Sequence, residues 1–322
     1  MKKSMANKST NSDFLDLIIS DIFFAKNYLN ESLFSINPFF SHFEQKLKSN
    51  LKKIKDQRCL GYIKILVCCY SEEKTFLKAH REQGNLKARL IKNYDINDEL
   101  IIINTAGGLT SGDVNINSIK VADNTKINIT TQSMEKVYKC NNISANIYTN
   151  ITVGSNAYVS WLPLETIFFN GGKLRRRINI DLAKNGIFLG IETIIFGRKG
   201  MGEVVKKGNL DDAWQIFQNN KLLYSDFNRI NGNIDNKLTN SLIMDGNNIF
   251  CNMVFVGKKI KIYKSKILNY ISSTKYLAGV SIVNGILLLK VLVKDITEIR
   301  VFIENLINIF DKNFNLPKLW NS

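Results

Sequence analysis

The chain has 322 residues, of which 45% are hydrophobic and 22% are charged. These fractions are those of a globular protein with a sizeable core, so they exclude a chain that is disordered throughout. The 44 Lys and Arg residues outnumber 28 Asp and Glu residues, which gives a net charge of +16. Such a charge favours acidic partners, namely nucleic acid, anionic lipid or an acidic protein, although a general abundance of lysine explains it as well.

Residues 1–57 differ from the rest and are predicted to form a helical, basic extension. Apolar residues recur at helical spacing over residues 14–29 and again over residues 43–54. The second helix is basic and lies either on a membrane surface or, as we favour, at the periphery of the protein with its lysines in solvent. Acidic residues interrupt the N-terminal apolar run, and no stretch is long enough to span a bilayer, so we predict a cytoplasmic protein without a membrane partner.

From Cys59 onward the pattern becomes that of β-strands. Residues 62–70 are rich in β-branched and aromatic side chains, and apolar and polar residues alternate over residues 145–153. Similar stretches, separated by Asn, Gly, Asp and Ser, continue to about residue 229. The sequence therefore predicts a mainly β domain over residues 58–322, built of layered antiparallel β-sheets with a few helices.

One predicted hairpin holds charged residues on packed faces. Asn185-Gly186 is a type I′ turn signal between two apolar strands. The register of a two-residue loop puts Arg176 in phase with the aliphatic face of its strand and places Glu192 diagonally from Arg177. We therefore predict that Arg176 and Glu192 each need a partner, since a charge on a packed face is unfavourable without one.

Residues 250–322 are predicted to form a small β-α-β-β-α segment. A strand precedes a helix over residues 260–271, and Asn284-Gly285 marks a hairpin. Asp295 resembles the first residue of a capping box that opens a final helix.

Cysteines and histidines argue against a disulfide framework and a zinc site. The five cysteines are odd in number, lack the C-x-x-C spacing and include the adjacent pair Cys68-Cys69. His42 and His80 are the only imidazoles, and neither has metal-ligand spacing to a cysteine. Because a Ser-His or Cys-His pair is poorly supported for the same reason, we predict no catalytic residues and no tightly bound metal.

The glycine-rich segment at residues 106–113 invites comparison with a phosphate loop. Where such a loop has Lys followed by Ser or Thr, this segment has Asp113, which repels phosphate, and no helical pattern follows. We favour a tight turn in which Gly107, Gly108 and Gly112 adopt positive φ over a nucleotide site.

Four segments carry a family resemblance, and they stand in the order NTAGGLTSGDVNI, ITTQSMEKVYKC, WLPLETIFFNGGKLRRR and LGIETIIFGRKGMGE. Together they resemble the urease accessory protein UreD, called UreH in some systems. The resemblance covers about residues 59–300 and leaves residues 1–57 outside. Any one segment alone is a weak signal, whereas four in the family's order are specific.

That resemblance implies a mainly β maturation scaffold for urease, the nickel enzyme that hydrolyses urea, and not an enzyme. Proteins of this family bind the urease apoprotein together with UreF and, through it, the GTPase UreG, in a hetero-oligomeric complex without nucleic acid. The resemblance further implies that Ni²⁺ is in transit, that no cofactor is tightly bound, and that GTP is bound by UreG. A chain without a phosphate loop fits this division of labour.

Carboxylates in the four segments are candidates for a role in nickel transfer, because a protein that passes Ni²⁺ onward is expected to avoid dense imidazole and thiolate clusters. We hypothesise that Asp113, Glu165 and Glu192 line or orient a polar path for the ion. The competing interpretation is that Glu192 neutralises Arg177 and that Asp113 ties its glycine turn. Further residues are candidates either for facing a partner or for satisfying local hydrogen bonds: Thr131, Gln132, Tyr138, Arg198 and Glu203.

Two functions of other classes stay open on the sequence alone. A hydrolase on a β scaffold would use paired carboxylates and needs two acids that face one cleft. A basic protein that binds nucleic acid or another anionic surface would show an affinity that falls steeply with salt.

Overall fold

We describe a computed structural model of the chain over residues 58–71, 74–94, 96–141, 143–198, 202–219 and 221–321. The strands in this part are, in chain order, β1 (Leu60–Ser71), β2 (Lys74–Gln83), β3 (Leu86–Ile91), β4 (Glu99–Asn104), β5 (Val114–Val121), β6 (Lys126–Thr131), β7 (Glu135–Val137), β8 (Ala145–Val153), β9 (Tyr158–Trp161), β10 (Thr166–Phe168), β11 (Lys173–Leu182), β12 (Ile187–Phe196), β13 (Lys207–Gln218), β14 (Lys221–Asn233), β15 (Ile249–Val256), β16 (Leu277–Val283) and β17 (Ile286–Val293). The helices are α1 (Ile234–Thr239), α2 (Ile260–Ser272) and α3 (Ile296–Ile307), followed by a 3-10 turn at Lys318–Asn321.

Two large sheets make up this part of the chain. The first has seven strands in the order β14-β13-β11-β8-β5-β1-β2. The second follows the order β16-β17-β15-β12-β9-β6-β4-β3, with the short strands β10 and β7 attached beside β12. The predicted mainly β, layered architecture is therefore confirmed, whereas the helices predicted within residues 1–57 lie outside the described residues.

Strand direction is where the prediction of antiparallel sheets was wrong for the centre of the fold. From β4 to β13 the chain passes back and forth between the sheets, and each central strand pairs in parallel with a strand of the preceding coil. Hydrogen-bonded side chains on neighbouring coils are 29 positions apart for Asn150 and Asn179, 32 for Asn117 and Thr149, and 36 for Arg176 and Asp212. The core is thus a β-solenoid of two facing parallel sheets, and antiparallel strands extend it at the sheet edges.

The hairpin predicted at Asn185-Gly186 was wrong for the same reason. β11 and β12 lie in different sheets, and the turn between them is a corner of the coil. Ala183 donates its N–H to the carbonyl of Val153, and Ile187 donates to Ala157, so this corner stacks on the corner of the preceding coil. A short Asn-Gly turn fits both a β-hairpin and a corner between two sheets. Here the parallel pairing of β11 and β12 with strands of the preceding coil selects the corner.

The predicted C-terminal segment is confirmed in its β-α-β-β-α order. Asn284 and Gly285 have φ of 50° and 76°, as a type I′ turn requires, and they join β16 to β17. Asp295 caps α3 by accepting the backbone N–H groups of Thr297 and Glu298. None of the helices in the described part of the chain combines the length and apolar character needed to cross a bilayer.

Apolar side chains are buried in three clusters. Two of them lie between the sheets, one around Ile178 and Trp214 and the other around Leu174 and Phe196. A third lies between the second sheet and the C-terminal elements, where α2, α3 and the last residues cover β12, β15 and β17. Every residue of β12 is buried because the strand packs on both faces.

Asp98 joins the ends of β2, β3 and β4 by hydrogen bonds. Its carboxylate accepts from the backbone and hydroxyl of Thr75, from Nζ of Lys92 at 3.0 Å and from the backbone N–H of Asn93 at 2.9 Å. Burial raises the pKa of this carboxyl, but the hydrogen bonds outweigh burial and hold the pKa below its ordinary value.

We expect Asp98→Asn to lower the free energy of unfolding by about 2 kcal/mol at neutral pH, because charge-assisted hydrogen bonds are lost. Since the folded pKa is lowered, this stabilisation is present above the unfolded pKa of about 4 and is lost as the pH falls through the folded pKa. Urea unfolding at neutral and acid pH measures the difference, which should shrink in acid. Glu304→Gln on the exposed side of α3 is the control, and an equal loss there would contradict the assignment.

Candidate functional site

A band of polar side chains separates the two apolar clusters between the sheets. On β11, Arg176 stands between Leu174 of one cluster and Ile178 of the other, and on β13 Asp212 stands between Leu210 and Trp214. We call this band the polar layer; its members are Asn115, Asn117, Thr149, Arg176, Glu192, Asp212, Asn252 and Lys290. Such a layer is unusual between packed sheets, because each buried polar group needs a partner.

Arg176 is the centre of the polar layer and is 3% exposed. Its Nε and Nη2 each donate to one oxygen of Asp212 at 2.9 Å, and its Nη1 donates to Glu192 on the facing sheet. Trp161 Nε1 donates to the other oxygen of Glu192 at 2.8 Å. The predicted need of Arg176 and Glu192 for partners is therefore met by each other.

The pairing of Glu192 with Arg177 was wrong by one residue. Because β12 faces β11 across the gap between the sheets, Glu192 meets the inward side chain Arg176, whereas Arg177 points outward to Asp211 at 2.8 Å. One guanidinium thus serves two buried carboxylates. Burial raises the pKa of the Glu192 carboxyl, and the neighbouring Asp212 acts in the same direction while Arg176 opposes it.

The polar layer continues past Glu192 to the far edge of the sandwich. Asn252 lies opposite Glu192 on β15 and is 2% exposed, and neither atom of its amide group has a hydrogen-bond partner among the described residues. Lys290 lies opposite Asn252 on β17 and reaches the first sheet, where its Nζ is 2.8 Å from Asp226. Polar groups therefore extend across the whole width of the space between the sheets.

A cavity of about 110 Å³ occupies the other half of the polar layer. It begins at exposed residues, namely Gly107, Ser133 and Lys136, and ends at the buried pair Arg176 and Glu192. Its wall carries oxygen and amide groups from both sheets, from the following residues: Asn104, Asn115, Asn117, Thr131, Glu135, Thr149 and Thr166. The buried amide oxygen of Asn117 has no partner among the described residues, so the wall offers free acceptor capacity.

Glu135 is the second carboxylate of this cavity, and it was not among the predicted candidates. Asn104 donates from Nδ2 to both of its oxygens, at 3.0 and 3.3 Å, and the backbone N–H of Lys136 donates at 3.1 Å. Burial raises the pKa of the Glu135 carboxyl, although these hydrogen bonds oppose the shift. Its place in the second family segment, ITTQSMEKVYKC, was the signal available in the sequence.

Asp113 lies outside the cavity wall and ties the glycine turn. Its two oxygens accept the backbone N–H of Cys59 at 3.0 Å and that of Thr110 at 2.8 Å. The turn itself needs glycine, since φ is 73° at Gly107, 142° at Gly108 and 83° at Gly112. A Cβ at Gly108 would also lie 2.6 Å from the ring of Tyr138.

Glu165 is fully buried and forms a bidentate ion pair with Arg300 of α3. The distances are 2.8 Å from Nε to Oε1 and 3.1 Å from Nη2 to Oε2. This pair fixes the last helix on the second sheet. Of the three acids proposed for the nickel path, the structure places only Glu192 in the cavity wall.

Three of the candidates for facing a partner come together at the surface. The rings of Tyr138 and Phe169 stack with centroids 5.1 Å apart, and the guanidinium of Arg198 lies 4.8 Å from the Phe169 centroid. Glu203 accepts the backbone N–H of Asn170 at 3.2 Å and lies 3.8 Å from Arg198. We call Tyr138, Phe169, Arg198 and Glu203 the aromatic-arginine cluster.

The last two candidates occupy the end of β6. Thr131 lines the cavity and accepts the backbone N–H of Leu164 at 3.0 Å. Gln132 is exposed, and its backbone N–H is bonded to Ile102.

Comparison with known proteins gives the family of the chain. The family model described as UreD urease accessory protein matches residues 64–321. The chain belongs to the UreD family. A relative named urease accessory protein UreD from Rhizobium johnstonii is 33% identical over 248 residues, which are 77% of this chain and 90% of the relative. The UreD of Azorhizobium caulinodans is 30% identical over 264 residues, 82% of this chain and 97% of that protein.

Membership of the UreD family supports an accessory role rather than a catalytic one, since these relatives are named as accessory proteins. The matched region contains all of the polar layer and the aromatic-arginine cluster. Residues 1–57 lie outside both the match and the described residues, so the basic helical extension predicted there stays a prediction.

We expect Arg176→Met to lower the free energy of unfolding by about 3–5 kcal/mol, because Glu192 and Asp212 would stay buried without a counter-charge. The loss should become smaller as the pH falls, since protonation removes the unpaired charges. Arg175→Met is the matched control, because Arg175 pairs with Asp211 at 3.5 Å on the outer face of the same strand. The control should cost less than about 1 kcal/mol in urea unfolding, and similar losses in both variants would contradict the central role of Arg176.

Proposed function

We propose that this UreD-family chain is a scaffold for urease maturation, which binds the urease apoprotein together with UreF and the GTPase UreG and helps Ni²⁺ to reach the urease active site. The observation that carries the proposal is the polar cavity between the sheets, in a chain matched by the UreD family model over residues 64–321. Nickel is the cargo of this process, and the cytoplasmic location stays a prediction.

The donor set of the cavity suits a cation that must leave again. Apart from Lys136 at the mouth and Arg176 at the inner end, its polar groups are mainly carboxylate, amide and hydroxyl groups, with Glu135 near one end and Glu192 at the other. Such oxygen donors hold Ni²⁺ less firmly than imidazole or thiolate does. A hydrated ion therefore meets groups that replace part of its water without trapping it.

Three of the five thiols are poor competitors for the ion. Burial raises the pKa of the Cys251 thiol to about 12, and it also raises the pKa of Cys59 and Cys140 above the ordinary value. A thiol must lose its proton to bind a metal, so these three are disfavoured as ligands. In the described part of the chain, no three His, Cys, Asp or Glu side chains converge into a metal-binding group.

Arg176 shapes the electrostatics at the inner end of the cavity. A lone guanidinium there would repel a divalent cation, but Glu192 and Asp212 accompany it. With all three groups ionised the triad carries one net negative charge, which attracts a cation. We propose that the triad marks where the ion passes between the sheets, and that Asn252, whose amide has no partner among the described side chains and backbone groups, follows it.

The aromatic-arginine cluster is the surface that we propose for a protein partner. Tyr138 is 43% exposed, and the Arg198 side chain is 52% exposed. Aromatic and arginine side chains are enriched in the energetically dominant parts of protein interfaces. Because Gly108 packs against Tyr138, the cluster adjoins the glycine turn at the mouth of the cavity.

We expect Glu135→Gln and Glu192→Gln each to lower urease activation roughly tenfold, which corresponds to about 1.4 kcal/mol in a rate-limiting step. Both changes keep the size of the side chain and remove the charge that attracts the ion. The measurement is urease activity and urease-bound nickel after co-expression with the other maturation proteins. Glu304→Gln is the control, and unchanged activation in both cavity variants would contradict the nickel path.

The same assay separates the other two acids of the hypothesis. Asp113→Ala and Glu165→Ala should also lower activation, but their contacts connect the effect with folding. Their unfolding midpoints therefore have to be measured beside activation. A loss of activation without a loss of stability would assign them to the path itself.

We expect the full chain to co-purify with UreF, UreG and the urease subunits, and the double change Tyr138→Ala with Arg198→Ala to weaken that association by about tenfold or more. Tyr94→Ala is the control, because that side chain is fully exposed, at 101%, and lies outside the cluster. Reproducible failure of the unaltered chain to associate with any of these proteins would count against the scaffold.

A further inference from the structure

Four strands lie at the ends of the two sheet orders, and they differ in whether they carry residues that prevent pairing with a strand of another chain. β14, β2 and β3 all carry charged residues, among them Arg229, Lys78 and Arg89. β16 has the sequence LAGVSIV, with neither a charge nor a proline. Charges and prolines are the usual means by which an edge strand is kept from pairing, so β16 is the one unprotected edge among the described sheets.

The hairpin geometry shows which backbone groups of β16 are free. In a two-residue type I′ hairpin the residues that flank the turn exchange both hydrogen bonds, and here these are Val283 and Ile286. Alternation along the strand then directs the N–H and C=O groups of Ala278, Val280 and Ile282 away from β17. These groups form a row at the edge to which another strand can bond.

The sequence segment that contains this edge is rich in lysine and has no acidic residue. Residues 246–294 contain no Asp or Glu and eight lysines, which are Lys258, Lys259, Lys261, Lys264, Lys266, Lys275, Lys290 and Lys294. Lys275 pairs with Glu298 and Lys290 with Asp226. The other six have no carboxylate within 4.0 Å among the described residues, and five of them lie on or directly before α2, which packs against β16.

We propose that β16 is a docking strand for an extended acidic segment of a partner protein, which adds to the second sheet as a further strand. The backbone row supplies the hydrogen bonds, and the lysines of α2 attract acidic side chains on the face of the incoming strand that lies toward α2. The opposite face of the incoming strand continues the surface formed by Leu277 and Val283, which are 49% and 42% exposed. This interaction does not depend on the nickel path or on the aromatic-arginine cluster.

Charge selects this occupant over a second copy of the chain. Pairing of two β16 edges would bring together two α2 helices with several unpaired lysines each, and like charges at such a contact are unfavourable. An acidic strand meets the same lysines with favourable charge. Binding by strand pairing also differs from binding to a purely electrostatic surface. Removal of one backbone N–H weakens strand pairing, whereas it leaves attraction by surface charge unchanged.

A peptide of alternating valine and glutamate, about as long as β16, serves as the probe, with fluorescence anisotropy of the labelled peptide as the readout on the full chain. We expect the peptide to bind, and we expect a peptide of alternating valine and lysine not to bind. Ala278→Pro removes one outward N–H and should weaken binding by about tenfold or more. Ala278→Thr keeps that N–H and is the matched control, which should bind like the unaltered chain.

A second arm tests the charge. Lys261→Glu with Lys266→Glu should weaken binding of the glutamate peptide by about tenfold or more while leaving the β16 backbone unchanged. Circular dichroism and the unfolding midpoint establish that each variant is folded. Should Ala278→Pro fail to fold, Val280→Pro removes the next outward N–H and takes its place.

Four results would overturn the proposal. The first is absence of binding to the unaltered chain, and the second is equal binding by the chain with and without the proline. The third is a dimer that becomes monomeric in Ala278→Pro, because a second copy would then occupy the edge. The fourth is displacement of the peptide by a single-stranded oligonucleotide whose own binding ignores the proline, since that would assign the lysines to nucleic acid.

Discussion

The ion pair of Arg176 with Glu192 and Asp212 is the constraint on which the arrangement of the coils depends. One guanidinium must reach a carboxylate beside it on β13 and another on the facing sheet. A shift of β11 by one residue would turn Arg176 outward and bring Arg177 into the gap without the same partners. A buried ion pair adds little net stability, but the loss of one partner is strongly destabilising because it leaves a buried charge unpaired. The triad therefore specifies the register of β11, β12 and β13 together.

The polar layer weakens the core that it crosses. Apolar side chains in place of Asn117 and Asn252 would join the two inter-sheet clusters, whereas both residues now hold amide atoms without a partner in the part of the chain that the structure describes. A sandwich under selection for stability alone has no use for such a layer. The cavity in this layer, with carboxylates at Glu135 and Glu192, gives the layer a use in the passage of a hydrated cation that we propose.

The sequence predicted those parts of the fold that depend on short-range patterns. The type I′ turn at Asn284-Gly285 and the cap at Asp295 are encoded within a few residues. The solenoid is not encoded in this way, because stacked residues are between 29 and 36 positions apart and the stacked corners share only single matches, such as Asn124 above Asn156 with φ of 58° and 55°. Whether a strand pairs in parallel depends on its partner strand, which lies one coil away in the sequence. Periodicity placed Arg176 on a packed face, but only the topology could show that Glu192 pairs with Arg176 and not with Arg177.

Position in the fold separates acids that look alike in the sequence. Asp113 and Glu165 accept well-formed hydrogen bonds from a turn and from Arg300, and neither lines the cavity. Glu192 is equally buried, yet it shares its counter-charge with Asp212, so the site keeps an excess of negative charge. A carboxylate whose charge is fully balanced by its partners holds elements of the fold in place. A carboxylate that shares its counter-charge still attracts a further cation. The same distinction explains why Glu135, which has only neutral donors at its carboxylate, belongs with Glu192.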